Sequence, residues 1–87
     1  MNAEQAAVTV YTKPACAQCR MTYLALDRKG IRYKSVDVTT SPAALEYITE
    51  ELGYSQAPVV VVDDENHWSG FRPDLIDQVA ALGATRH

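Results

Sequence analysis

Cysteine is scarce in this chain: Cys16 and Cys19 are the only two in 87 residues. A secreted mini-domain held by staples carries more. A disulfide between residues three apart also closes too short a loop to add much stability. Whatever this pair does, it does not hold the fold together. Long apolar runs are missing as well, and Val59 to Val62 falls far short of a bilayer span. Met1 to Ala7 lacks the cationic start and apolar core of a secretion signal. There is no basic tail of the kind that tracks phosphates, and the net charge is −3, so nucleic acid is not an expected partner. Repeats, linkers and low-complexity segments are absent too. What remains is one domain over residues 1–87, expected to be cytoplasmic and monomeric. The apolar fraction of 47% is ordinary for a globular chain.

The order of elements reads β-α-β-α-β-β-α. Val8 to Tyr11 is β-branched and aromatic and stops at Lys13-Pro14. A helix is expected from Ala17 to Lys29, with Met21, Leu24 and Ala25 as its apolar spacing and Gly30 as a left-handed stop. Ile31 to Val38 reads as a second strand. Ser41 followed by Pro42 marks a helix start, with Leu45, Ile48 and Leu52 as the buried stripe and Gly53 as its end. Pro58 opens the unbroken run Val59 to Val62, typical of a strand covered on both faces. A polar turn at residues 63–66 leads into a partner strand at His67 to Phe71. Pro73 and Asp74 start the last helix, with Leu75, Ile76, Val79 and Leu82 on one side and Gly83 closing it. The first βαβ unit predicts parallel strands with a right-handed crossover, and the hairpin predicts an antiparallel pair. Together these make an α/β thioredoxin fold with a four-stranded mixed sheet flanked by three helices.

That fold puts Cys16 in the loop leaving the first strand, at the mouth of the first helix. Unpaired backbone N–H groups and the helix dipole there favour negative charge. The thiolate is the nucleophilic form of cysteine, so the position favours reactivity, and Lys13 adds a cation in the same loop. Cys19 lies about one turn further on, close enough to attack a mixed disulfide on Cys16. Ala17 and Gln18 between them bring no positive charge to stabilise the thiolate further, which points to a reductant rather than a strong oxidant. The expected chemistry is dithiol–disulfide exchange, an enzymatic activity carried by Cys16 and Cys19.

A binding module is the alternative of another class, with the C-x-x-C pair holding zinc or bridging a cluster between chains. Zinc needs four ligands, and the only histidines are His67 and His87 with no second C-x-x-C. No metal site within one chain is therefore expected. His67 reads as a surface residue, and the five tyrosines are too dispersed to form a binding box. Pro58 suits a strand start, and in a thioredoxin fold it is the proline whose cis peptide lies beside the active pair. Trp68, Ser69, Gly70, Phe71 and Arg72 could pack the last helix or form a docking patch. Phe71 leans toward core contact and Trp68 toward docking, since Trp, Phe and Arg are enriched at binding hot spots.

Assembled, these residues resemble the NrdH-type redoxins, a glutaredoxin-like branch of the thioredoxin superfamily, over nearly the whole chain. Residues 10–16 are similar to that family's first strand and active loop, and Cys16-Ala17-Gln18-Cys19 to its C-x-Q-C pair. Gln56-Ala57-Pro58-Val59-Val60 resembles its cis-proline segment, and Trp68-Ser69-Gly70-Phe71-Arg72-Pro73-Asp74 its most distinctive motif. Ala17 departs from the pattern, which commonly has a larger aliphatic residue there. The resemblance implies an electron carrier with no bound cofactor. Thioredoxin reductase, an FAD enzyme using NADPH, would reduce it, and the disulfide of class Ib ribonucleotide reductase would be its substrate. It further implies that Lys13, Ala17, Gln18, Ala57, Pro58 and Trp68 to Arg72 contact partners. A glutathione-dependent glutaredoxin is the nearest alternative. Such proteins carry a threonine where Ala57 stands and an Asp in the region of Arg72 and Pro73, so poor glutathione binding is expected.

Overall fold

The computed structural model describes residues 7–82. Gly83, His87 and the N-terminal stretch before Ala7 lie outside the described residues. Four strands, β1 (Val8–Thr12), β2 (Tyr33–Asp37), β3 (Val59–Asp63) and β4 (Asn66–Ser69), form one sheet in the order β2-β1-β3-β4. β1 runs parallel to β2 and antiparallel to β3, and β3 pairs antiparallel with β4. The helices are α1 (Ala17–Arg28), α2 (Pro42–Glu46) and α3 (Pro73–Ala81), with α2 running on into wider π-helical turns over Tyr47–Glu51. This is the expected order of elements, including both strand senses.

The sheet is covered on both faces, which explains the unbroken valine run. Val8, Val10, Val60 and Trp68 face one way and pack with Leu26 of α1 and with Ile76 and Val79 of α3. Val59 and Val61 face the other way, toward Val38 and Ile48. Alternate side chains of a strand point to opposite faces, so a strand buried twice must be apolar at successive positions. Val59 and Val60 are both 0% exposed.

Local signals set the helix ends. Ser41 Oγ accepts from the Ala44 backbone N–H at 3.3 Å, and Pro42 occupies the first helical turn. Gly30 adopts φ +70° beyond α1, a left-handed conformation that a side chain would strain. At the hairpin, Asp63 Oδ1 accepts from the backbone N–H of Glu65 and Asn66 and from the Asn66 amide, at 2.8 to 2.9 Å. The Asn66 side-chain bond is the main reason the Asp63 carboxyl is held below its ordinary pKa.

The helical burial stripes differ from the sequence expectation. Met21 and Leu24 are exposed, at 47% and 54%, and α1 buries Cys19, Thr22 and Leu26 instead. Thr22 belongs inside because its hydroxyl donates to the Gln18 carbonyl at 2.9 Å, which removes the cost of burying it. In the second helix Ile48 is buried and Leu52 packs beside it, but Leu45 lies outside. Leu82 is 84% exposed rather than part of the α3 stripe. The second strand is shorter than expected: Ile31 and Val38 are buried but flank it, bonded to Leu26 and Thr12. His67 is half-buried, with its Nδ1 2.8 Å from the Tyr54 hydroxyl.

Leu26→Ala should lower stability by about 2–5 kcal/mol, because it opens a cavity in a closed core. Leu24→Ala should change it by no more than about 0.5 kcal/mol. Urea denaturation of the two variants measures both, and equal losses would contradict the assigned faces of α1.

Candidate active site

Two strand registers bring the working segments together. Tyr11 pairs with Val59, so the end of β1 lies beside the start of β3, and the loop to Cys16 leaves next to Pro58. Val59 pairs in turn with Ser69, which puts Gly70 and Phe71 on the other side of Pro58. Short bonds close the junction. The Gly70 N–H donates to the Pro58 carbonyl at 2.8 Å, and the Ser69 hydroxyl donates to the Gln56 carbonyl at 3.3 Å. The Phe71 N–H donates to Gln18 Oε1 at 3.0 Å, tying the first turn of α1 to the same loop.

Cys16 and Cys19 form a disulfide across the first turn of α1, with Cα atoms 5.2 Å apart. Cys16 is the N-cap residue, and its Sγ accepts from the Cys19 backbone N–H at 3.1 Å. No acidic residue stands in that turn, so the turn itself sets no carboxylate against a negative charge on Cys16 Sγ. Burial separates the two sulfurs: Cys16 is half-buried, whereas Cys19 is 2% exposed. The outer sulfur can meet an incoming disulfide, and the inner one can meet only its neighbour. Ala15, just before, has φ +57°, a conformation that costs a non-glycine residue roughly 1 kcal/mol. It turns the chain sharply between Pro14 and the cap.

The Ala57–Pro58 peptide is cis, and Pro58 is fully buried beside Val59. Gly70 has φ +86°, and a Cβ there would lie 3.3 Å from Gln18 Oε1, so both backbone shape and space favour glycine. Lys13 and Ala17 are exposed around the mouth, and Ala57 is half-buried. Trp68 does not take the docking position expected of it. It is 7% exposed, pairs across the sheet with Val60, and fills the core under α3. Cross-strand partners share a face, so an indole opposite the buried Val60 has to point into the same core, and this pairing decides against hot-spot composition. Phe71 packs partly against the same core, as expected.

Arg72 turns toward Asp74. Its guanidinium donates to both carboxylate oxygens, from Nε at 3.2 Å and from Nη2 at 2.9 Å. That bidentate bond is the first cause of an Asp74 pKa below its ordinary value. The sequence reading passed over Asp74 as a partner, although the i, i+2 spacing around Pro73 was a usable signal. It also missed the Gln56 carbonyl, for which no side-chain signal exists. Among the described residues, no three His, Cys, Asp or Glu side chains gather as a metal site, and no helix is long and apolar enough to cross a membrane.

Comparison with known proteins agrees with this geometry. The glutaredoxin family model matches residues 8–68. The chain is 38% identical over 72 residues to the glutaredoxin-like protein NrdH of Escherichia coli, covering 83% of this chain and 86% of that protein. It is 36% identical over 73 residues to the NrdH protein of Lactococcus lactis, covering 84% and 99%. Among solved structures, the NrdH-redoxin of Escherichia coli, described as having a thioredoxin-like activity profile, superposes with a TM-score of 0.76. That match has 38% identity and covers 83% of this chain and 92% of that one. The fold is therefore thioredoxin-like.

The Arg72–Asp74 pair has a pH signature. A carboxyl whose pKa falls on folding contributes stability above its unfolded value and loses it as pH drops through the folded value. NMR titration should place the Asp74 midpoint below 3.8 in the native chain, and Arg72→Gln should move it upward. An unmoved midpoint would show that the bidentate bond does not persist in solution.

Proposed function

Because this chain belongs to the glutaredoxin family, with NrdH proteins among its relatives, we propose that it carries electrons from thioredoxin reductase to class Ib ribonucleotide reductase. It is a thiol–disulfide oxidoreductase whose redox-active pair is Cys16 and Cys19. It needs no bound cofactor for this, since the electrons reside on the two sulfurs. The supply runs from NADPH through the FAD of the reductase, in the cytoplasm.

In the reduced chain, the Cys16 thiolate attacks one sulfur of the substrate disulfide, and the other substrate sulfur leaves as a thiolate and takes a proton. Cys19 then loses its proton and attacks Cys16 Sγ. This restores the Cys16–Cys19 disulfide and expels the second substrate thiolate. Two electrons have moved to the substrate, and the reductase returns them by the same exchange in reverse order. An extended substrate segment would lie along the backbone of Ala57, held in place by the cis Pro58 and the Ser69–Gly70 loop.

The observation that carries the choice of electron donor is the Arg72–Asp74 pair. Glutathione presents an ammonium group that needs an acidic partner. The acid at the start of α3 is already engaged by a guanidinium that a second cation would have to displace. Ala57 offers no hydroxyl. Both features support thioredoxin reductase over glutathione.

NADPH consumption with a model disulfide should proceed with thioredoxin reductase alone, and fall to background with glutathione and glutathione reductase. Turnover only with glutathione would make the chain an ordinary glutaredoxin. In the same assay, Cys16→Ser should abolish turnover. Cys19→Ser should stop it while accumulating one mixed disulfide per chain, visible by mass spectrometry. Equal, silent behaviour of the two variants would contradict the division of labour between the sulfurs.

A further inference from the structure

α1 carries its exposed apolar residues in an unusual place. Ala17, Met21 and Leu24 follow at i, i+4 and i+7, directly opposite the buried Cys19, Thr22 and Leu26. That places them on the outermost line of the helix, where an amphipathic helix normally carries charge. Met21 and Leu24 are about half exposed, and the line begins at Cys16. Arg20 lies beside this line and Arg28 ends it. Both are exposed, and neither pairs with a carboxylate among the described residues.

Charge is segregated around this line. From Lys13 to Lys34 the cations are Lys13, Arg20, Arg28, Lys29, Arg32 and Lys34, against Asp27 alone. From Ser35 to Phe71 the carboxylates are Asp37, Glu46, Glu50, Glu51, Asp63, Asp64 and Glu65, with no lysine or arginine. Glu46, Glu50 and Glu51 belong to the helix on the far face of the sheet, packed against Val59 rather than Val60. α3, on the same side of the sheet as α1, adds Asp74 and Asp77, but these pair with Arg72 and Lys29, so Arg20 and Arg28 keep an excess of positive charge along α1.

We infer that the outer line of α1 is the docking surface for the folded reductase that reloads Cys16–Cys19, and that the reductase meets it with an apolar centre ringed by carboxylates. This rests on the electron supply proposed above. An extended substrate segment needs only the backbone beside Ala57 and Gly70, but a folded partner must seat a broad surface beside Cys16, and this line runs outward from that sulfur. The apolar residues hold the complex, and the arginines steer its approach. The same positive face repels a partner of like charge.

The test compares thioredoxin reductase with dithiothreitol as electron donors to three chains: the native protein, Arg20→Glu/Arg28→Glu and Leu24→Ser. Both variants change exposed side chains, and matching circular dichroism spectra confirm that they fold. With the reductase, the KM for each variant should rise roughly tenfold while kcat stays within about twofold. The native KM should also rise from 20 to 300 mM salt, and that dependence should flatten in the double variant. Reduction by dithiothreitol should be unchanged in all three. Native-like KM values in both variants would overturn the docking surface while leaving the proposed electron supply standing. A native chain that draws no electrons from thioredoxin reductase would overturn that supply, and with it this reductase as the occupant.

Discussion

The antiparallel register of β3 between β1 and β4 is the constraint on which the rest of the site depends. Tyr11 opposite Val59 and Val59 opposite Ser69 place three chain segments, far apart in sequence, at one end of the sheet. A slip of one residue would send Val59 and Val60 to the wrong faces and leave both cores short of a side chain. The core therefore enforces the register, and the register places Pro58 between the cysteine loop and Gly70. Catalytic geometry here is a by-product of burying valines on two faces.

Within that frame, the two sulfurs differ because the helix that carries them is half-buried. Cys16 caps the helix and faces outward, while Cys19, one turn on, shares the inner face with Thr22 and Leu26. A separate base is not needed to make one sulfur the attacking group. Access and the helix N-terminus already distinguish them. Gln18 then links this turn to the loop at Phe71 through a single side-chain bond, which joins the cysteine pair to the segment beside Pro58.

The sequence made the architecture legible because its signals were local or periodic: the Ser41-Pro42 start, the glycine stops, the two-faced valine run and the Cys16–Cys19 spacing. It misled wherever a second solution fitted the same pattern. Met21, Leu24 and Ala25 satisfy an i, i+3, i+4 spacing, and Cys19, Thr22 and Leu26 satisfy i, i+3, i+7, so both sets fit one face of a helix. Only the satisfied Thr22 hydroxyl and the packed sheet decide between them. Composition suggested a docking role for Trp68, yet its cross-strand pairing with Val60 placed it inside. The bonds that close the site, from Gly70 to Pro58 and from Phe71 to Gln18, pair residues far apart in the chain. No single-sequence pattern announces such pairs.

Carrying electrons asks the fold to stay the same in two redox states, and the short spacing of the cysteines meets that demand. A bridge over so few residues removes little entropy from the unfolded chain, so opening it costs the fold little. The core made by Leu26, Ile76, Val60 and Trp68 lies on α1, α3 and the sheet, and closes without either sulfur's bond to the other. Exchange can then remain local to the first turn of α1, where the Cys19 N–H meets Cys16 Sγ and the Gln18 side chain reaches the Phe71 N–H. The recognition surfaces proposed above, the backbone beside Ala57 and Gly70 and the outer face of α1, lie outside the bridge itself. A bridge that adds little stability leaves its energy to be set mainly by the exchange reaction.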